Sequence, residues 1–341
     1  MNKLPSPPQS CQTGSLNWLK EHAQLMLFKG LLISMRQQKI ANRLSILTFH
    51  KLPAAPDPLL PRELLASDFV QMLAQLKVTR KVLPLEDALQ RLRQGRLPEG
   101  AVVLTFDDGY GDWHQHITPS LLRHDLHATF FITTGILDGQ ALWHERLIEC
   151  IRRMPADGLT APCPWTGAAH THTATREEHL HLALKHAKTL TLRQREEMLS
   201  ALEHELGGTT PGDFREADVR QLSNQGFGIG AHTQQHPILL HCSPHEAREE
   251  IARSKHTLEH ITRAPVPFFA YPNGKPGGDF DSTHVEMVKH CGFKAAFTTS
   301  AGTVDRSSDW FQLPRLGPWK ASATGFELQL IRNLFHVERR V

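Results

Sequence analysis

Short apolar runs alternate with amphipathic segments along most of the chain. The runs are rich in β-branched and aromatic residues, a pattern typical of strands that are buried on both faces. The segments between them place apolar residues at helical spacing, and the clearest, 243–261, starts with a Ser cap followed three residues later by Glu. The pattern predicts alternating strands and helices, with strands at 44–49, 101–106, 127–133, 226–231, 266–271, 294–300 and 311–316.

Repeated strand-then-helix units favour parallel strands that are covered by helices. Their number predicts an α/β fold, a distorted (β/α) barrel of about seven parallel strands with a helical insertion. An open, doubly wound sheet is the alternative. The lack of a GxGxxG motif after an early strand weakens the dinucleotide-binding version of that alternative.

The same pattern divides the chain into four parts. The insertion has no good strand, and its HTHT run at 170–173 is a weak metal-binding signal, since two histidines in a polar loop are mostly surface residues. The predicted parts are an N-terminal helical segment (1–43), a first part of the barrel (44–140), the helical insertion (141–213) and a second part of the barrel (214–341).

Composition and charge restrict the partners and the compartment. The formal net charge is only +3, so we expect no nucleic-acid partner. Five scattered cysteines without a CxxC pair fit a reducing compartment, and no secretion signal is seen, so a cytoplasmic location is expected. The apolar run at 25–35 is too short to span a bilayer. Residues 25–43 could contact the inner membrane surface peripherally, although a helix packed on the domain is preferred.

Two adjacent carboxylates, Asp107 and Asp108, follow the apolar run AVVLTF. Barrel enzymes carry their chemistry at the carboxyl ends of strands. A second run ends in AHTQQHP, where His232 and His236 stand four residues apart, so that in a helical turn both imidazoles would face one ion. Two histidines and one carboxylate form a facial ligand set with open positions, which leaves the other aspartate free to take a proton. Either motif alone is weak, but together they indicate a metal site.

These motifs resemble those of the polysaccharide deacetylase family, also called the NodB-homology or carbohydrate esterase 4 family. TFDDGY and HTQQHP are similar to its first two motifs, and FFAYPNG (268–274) resembles a variant of the third. Upstream, ILTFHKLP and VLPLEDAL resemble the N-terminal part of one branch of the family. The similarity covers roughly 44–135 and 215–318.

The resemblance implies a role for each motif residue. Asp107 would be the general base, and Asp108, His232 and His236 would hold a divalent metal, zinc first, with cobalt or nickel able to substitute. The reaction would remove an N-acetyl group, or less often an O-acetyl group, from a glycan that contains an amino sugar.

The third motif implies an oxyanion site. Tyr271, Pro272 and Asn273 align with the substrate-binding loop, in which the backbone N–H of Asn273 would face the oxyanion. Much of the family has an arginine in this motif that steadies the base, but here Ala270 occupies the position. Arg315, at the end of a later predicted strand, is the candidate that could replace this arginine beside Asp107. A purely structural role for Arg315 is weighted equally.

The later motifs align poorly. Asp309 and Trp310 are offered as the Asp and Trp of the fourth motif, with a spacing that does not fit cleanly. The general acid is either His50, at the end of the first strand, or His336 in LFH, and His50 is preferred because it lies at a strand end near the other candidates.

Two other functions stay open at this point. The protein could be a metal-dependent amidase acting on a small non-sugar amide, or a non-catalytic saccharide-binding module of a polysaccharide-synthesis system. An intact second carboxylate argues against the binding module, because metal binding alone does not need it. Aromatic residues near the motifs favour a sugar substrate, but they are also typical of a core: Tyr110, Trp113, Trp143, Tyr271, Trp310 and Trp319.

Overall fold

Seven strands, all paired in parallel, form the centre of the protein. The computed structural model describes residues 42–155, 163–165, 175–209, 211–318, 322–334, 336 and 340–341; most of the predicted N-terminal segment and the HTHT run lie outside them. The hydrogen-bonded order is β1-β3-β4-β5-β6-β7, with β2 paired to the start of β3. The strands are β1 (Ser45–Phe49), β2 (Lys81–Val82), β3 (Ala101–Asp108), β4 (Thr129–Ile132), β5 (Gly228–Ala231), β6 (Phe268–Ala270) and β7 (Ala295–Phe297).

The chain after β7 closes the sheet into a ring. Within the predicted strand at 311–316, Leu313 bridges to Phe297 of β7 and Leu316 bridges to Leu47 of β1. These are single-residue bridges, so this part is an irregular connection and not a full strand. The strand order also follows the chain without the reversal that a doubly wound sheet requires. The predicted distorted (β/α) barrel is confirmed.

Helices connect and cover the strands. The predicted cap of the longest helix is present, because the Ser243 hydroxyl accepts the Glu246 N–H while the Glu246 carboxylate accepts the Ser243 N–H. Among the described helices, none has the length and apolar character needed to cross a bilayer. The helices are α1 (Ala66–Thr79), α2 (Leu85–Arg93), α3 (Thr118–His124), α4 (Trp143–Arg153), α5 (Arg176–Ala187), α6 (Leu192–Glu205), α7 (Glu216–Asn224), α8 (Pro244–Thr262), α9 (Ser282–His290) and α10 (Ala323–Asn333).

Alternating residues of the strands form two separate cores. Along β3, Val102, Leu104 and Phe106 pack in the larger cluster beneath the helices, whereas Val103 packs in a second cluster. That second cluster lies inside the curled sheet, because it joins Phe131 of β4 to residues of β7 across the intervening strands. Side chains alternate between the two faces of a strand. Asp107, four residues after Val103, therefore lies on the same face as Val103 and points into the ring.

The region 141–213 contributes α4, α5 and α6 and a core of its own. Leu147 and Ile151 of α4 pack with Leu180 of α5 and Leu199 of α6 in a third apolar cluster. Gln140 and Pro211 form an antiparallel bridge where the region leaves and rejoins the barrel. The described residues of the region form three helices, as predicted, while the domain boundaries themselves stay a prediction.

Candidate active site

Strand β3 carries both aspartates to the carboxyl edge of the sheet. Asp107 lies on the same face of the strand as Thr105, which is the inner face. Asp108 ends the strand with φ at +91°, a conformation that is uncommon for a residue other than glycine. Because of this backbone conformation the two neighbouring carboxylates separate, so that they can contact different partners.

Arg315 is the partner of Asp107. Its Nη1 donates to Asp107 Oδ1 at 2.7 Å and its Nη2 donates to Oδ2 at 2.6 Å. Two further donors are also used, one on Nη1 for the Thr105 hydroxyl and the one on Nε for the Thr298 carbonyl. Burial would raise the pKa of Asp107, but the charge and hydrogen bonds of Arg315, together with the charges of His232 and His50, hold that pKa below its ordinary value. The cation that the third motif lacks is thus supplied by Arg315.

Asp108 faces two imidazoles. Its Oδ1 lies 3.4 Å from His232 Nε2 and 3.2 Å from His236 Nε2, and ligand atoms of the three residues all lie within 4.8 Å of one another. The Asp108 Oδ1 atom is buried and accepts no hydrogen bond from a described residue, so the imidazoles are close to it without pointing at it. Two nitrogens and one carboxylate oxygen this close together are a donor set that a divalent metal ion fits.

A second contact fixes the ring of His232. Its Nδ1 lies 2.8 Å from the carbonyl oxygen of Ala270. A carbonyl can only accept, so Nδ1 carries a proton, and Nε2 is the ring nitrogen on the side of Asp108. Ala270, which replaces the arginine expected from the third motif, therefore orients a candidate metal ligand through its backbone.

The loop from His232 to His236 is not the helical turn that the spacing predicted. Thr233 has φ at +62° and His236 has φ at +52°, both in the left-handed region. For a β-branched residue such as Thr233 this conformation is a strained outlier, and outliers of this kind concentrate at functional sites. The two histidines converge because of the strained loop and not because of helical periodicity.

Three buried side chains hold this loop in place. The Glu250 carboxylate of α8 accepts the N–H groups of Gln234 and Gln235 at 2.9 and 2.7 Å. From the helical insertion, the Trp143 indole donates to the His236 carbonyl at 2.9 Å, and Arg195 donates to the Gln235 carbonyl at 3.2 Å. The Arg195 guanidinium also lies 4.5 Å from the centre of the Trp143 ring. The insertion thereby positions the barrel loop that carries the two candidate metal ligands, His232 and His236.

His144 is an active-site histidine that the sequence did not reveal. Its Nε2 lies 2.9 Å from the Tyr110 hydroxyl, which donates to Asp108 Oδ2 at 3.1 Å. Burial lowers the pKa of His144 to about 3, so the ring is neutral. His144 is adjacent to Trp143 on α4, and only the docking of the insertion brings it to the barrel; no spacing in the sequence indicates it.

Both aspartates and all three histidines of the site line one cavity of about 680 Å³: Asp107, Asp108, His144, His232 and His236. His50 lies at its rim with half of its side chain exposed, and its Nε2 is 4.0 Å from Asp107 Oδ2. Thr48 donates to the same carboxylate oxygen at 3.4 Å. A single group bound in the cavity could therefore contact the Asp107 carboxylate, the potential metal site and the accessible imidazole of His50.

The third motif contributes Asn273 to this cavity, whereas the predicted contribution of Tyr271 is wrong. The Tyr271 side chain is fully buried, stacks on Phe280 at 3.8 Å, and donates to the Phe311 carbonyl. Pro272 is buried and has no N–H to donate. Asn273 lines the cavity with φ at +55°, and its backbone N–H has no acceptor among the described residues.

Three other predicted residues lie away from the cavity. Asp309 accepts the Phe311 N–H and a Gln312 amide hydrogen, which makes it a turn-stabilising residue. Trp310 packs beneath the Arg93 guanidinium at 3.8 Å. His336 is exposed and is not among the residues that line the cavity, so His50 is the histidine that the fold brings to Asp107.

Several known proteins are similar to this chain. "Putative polysaccharide deacetylase YxkH" of Bacillus subtilis (strain 168) is 19% identical over 233 residues, which cover 68% of this chain and 57% of that protein. The Streptococcus pyogenes deacetylase PplD in complex with acetate superposes with a TM-score of 0.57 at 18% identity, covering 86% of this chain and 98% of that one. IcaB from Ammonifex degensii gives 0.55 at 18% identity, covering 86% and 97%.

The sequence pattern of the polysaccharide deacetylase family matches residues 94–296, which is more than half of the chain. The match contains Asp107, Asp108 and both histidines of the AHTQQHP motif. At the identities above, the solved structures establish the shared fold. The match to the family's sequence pattern, which covers more than half of the chain, shows that this chain belongs to the polysaccharide deacetylase family.

Proposed function

We propose that the protein is a metal-dependent hydrolase that removes acetyl groups, chiefly N-acetyl, from an amino-sugar-containing polysaccharide or glycan precursor. The observation that carries this proposal is that two neighbouring carboxylates have different partners. Asp107 is tied to Arg315, while Asp108 shares a position with His232 and His236. A metal-binding module has no use for the buried Asp107–Arg315 pair, whereas a hydrolase needs a base beside its metal.

A divalent ion bound by Asp108, His232 and His236 would activate water near neutral pH and polarise the acetyl carbonyl. Zinc is the metal we propose, because it accepts nitrogen and carboxylate ligands and tolerates open positions. Cobalt and nickel accept the same ligands.

The chain's own groups perform the proton and charge chemistry. The Asp107 carboxylate accepts a proton from the attacking water, and Arg315 keeps it ionised and oriented. The unpaired N–H of Asn273 donates to the developing oxyanion. His50, half exposed at the rim, delivers a proton to the leaving amine. The neutral His144 ring holds the Tyr110 hydroxyl against Asp108.

Acetate release separates the candidate functions. A deacetylase of this class releases acetate from chitooligosaccharides far faster than from small linear amides, and Asp107→Asn abolishes that release. Preference for the linear amides would favour the small-amide hydrolase instead. Saccharide binding without any acetate release would favour the non-catalytic module. The cytoplasmic location and the membrane contact of residues 25–43 stay predictions from the sequence.

A further inference from the structure

The two oxygens of the Asp108 carboxylate have different surroundings. Oδ1 lies 3.4 Å from His232 Nε2 and 3.2 Å from His236 Nε2, and it accepts no hydrogen bond from a described residue. Oδ2 accepts a hydrogen bond from the Tyr110 hydroxyl at 3.1 Å. One oxygen is therefore left beside the two imidazoles, whereas the other is already bonded to the protein.

The directions of the hydrogen bonds around Tyr110 follow from its chemistry. An ionised carboxylate can only accept, so the single hydroxyl hydrogen of Tyr110 lies on the side of Asp108. The Tyr110 oxygen then accepts from His144 Nε2, which lies 2.9 Å away. A chain of two hydrogen bonds thus runs from His144 through Tyr110 to Asp108 Oδ2.

The surrounding structure holds Tyr110 in this position. Its ring packs in the larger apolar cluster, with an edge-on contact to Trp113 at 6.3 Å between ring centres. Gly109, with φ at +115°, makes the turn that returns the tyrosine to Asp108 two residues before it. The hydroxyl is therefore fixed beside Oδ2 by packing and by the backbone, before any ligand binds.

We propose that Tyr110, oriented by His144, limits Asp108 to a single oxygen as a metal ligand. This inference rests on the proposed deacetylase function and gives two residues of its site a positioning role. A carboxylate that binds through both oxygens takes two positions around an ion. One that binds through a single oxygen leaves the second position to water or substrate, and a catalytic metal site needs such an open position.

Cobalt-loaded protein gives a direct readout of this role, because the visible absorption of cobalt weakens as ligands are added around it. In Tyr110→Phe the Oδ2 atom is released and becomes a further ligand, so the absorption for each bound cobalt should lose intensity. Elemental analysis counts the bound cobalt. The value of kcat/KM for acetate release from chitooligosaccharides should fall about 10- to 100-fold, as is usual when a hydrogen-bond partner of a metal ligand is removed.

Two sets of variants serve as controls. Tyr271→Phe makes the same change at the chain's other tyrosine, whose hydroxyl donates to the Phe311 carbonyl, and should leave the cobalt spectrum unchanged. His144→Phe removes the donor to Tyr110 and should weaken the absorption in the same direction as Tyr110→Phe. His144→Gln keeps an N–H donor and should restore the wild-type intensity.

The outcomes separate this inference from the function on which it rests. A cobalt spectrum of Tyr110→Phe that matches the wild type, on protein with unchanged circular dichroism, would overturn the inference while acetate release upholds the deacetylase. If Tyr110→Phe does not fold, an unchanged spectrum in His144→Phe overturns it equally. A weakened spectrum in a protein that releases no acetate would retain the role of Tyr110 and reject the deacetylase function. Wild-type protein that binds no cobalt would overturn both.

Discussion

Arg315 donates hydrogen bonds to both carboxylate oxygens of Asp107, although the two residues lie 208 positions apart in the chain. Neither side chain is more than 1% exposed. A bidentate pair of this kind fixes the carboxylate in orientation as well as in charge. With alanine in the third motif, this pair supplies the cation beside Asp107, the proposed base, next to the proposed metal ligands.

Removal of Arg315 should therefore change the pH profile. In Arg315→Met the burial of Asp107 is no longer opposed, so the pKa of the base rises and the acidic limb of the kcat/KM profile moves to higher pH. Stability should fall by about 3–5 kcal/mol, since one partner of a buried pair is left alone. Metal content, measured on protein that retains its circular dichroism, should not change. An acidic limb that stays in place would make Arg315 purely structural.

The two aspartates should differ in what they control. Asp107→Asn removes proton uptake but no ligand, so activity should fall about 100- to 10,000-fold while metal binding persists. Asp108→Asn removes a ligand, so both metal and activity should be lost. Elemental analysis beside acetate release measures both properties. The reverse pattern would exchange the roles of the two residues.

The insertion should control metal affinity without touching the metal. Trp143→Phe removes the hydrogen bond to the His236 carbonyl and should weaken metal binding about tenfold, measured by competition with a chelator. Trp165→Phe is the matched control, because Trp165 also donates its indole N–H within the insertion, to His179, far along the chain from the ligand loop. Equal affinity in both variants would mean that the loop holds its strained conformation alone.

Glu63 should make stability depend on pH. Burial raises its pKa to about 7, partly opposed by Lys51, so the protonated form is favoured in the folded state. The folded protein therefore becomes less stable as the pH rises from the ordinary pKa of a glutamate through 7. Glu63→Gln should raise the midpoint of thermal unfolding at pH 8 and have no effect at pH 4. A gain at pH 4 that equals the gain at pH 8 would exclude this titration.

The sequence predicted the barrel and the grouping of Asp108, His232 and His236, because both depend on local patterns at strand ends. Apolar runs located the strands, and the polar residues directly after them had to meet at one edge of a parallel sheet. The exact shape of the histidine loop could not be predicted, because positive φ angles at Thr233 and His236 are imposed by tertiary contacts. His144 could not be predicted either, because only tertiary contacts of the insertion bring it to the site. The motif also gives no sign that Tyr271 stacks on Phe280, and Tyr271 was therefore assigned to the substrate site.

The most direct test of the account is acetate release as metal is returned to metal-free protein. Chitooligosaccharide is the substrate, zinc is added in known amounts, and Asp107→Asn is measured in parallel. Release by the wild-type protein should rise in proportion to bound zinc and level off near one ion per chain, while the variant binds the same amount of zinc and stays inactive. Equal rates in the metal-free and zinc-loaded protein, or an active Asp107→Asn, would contradict the account.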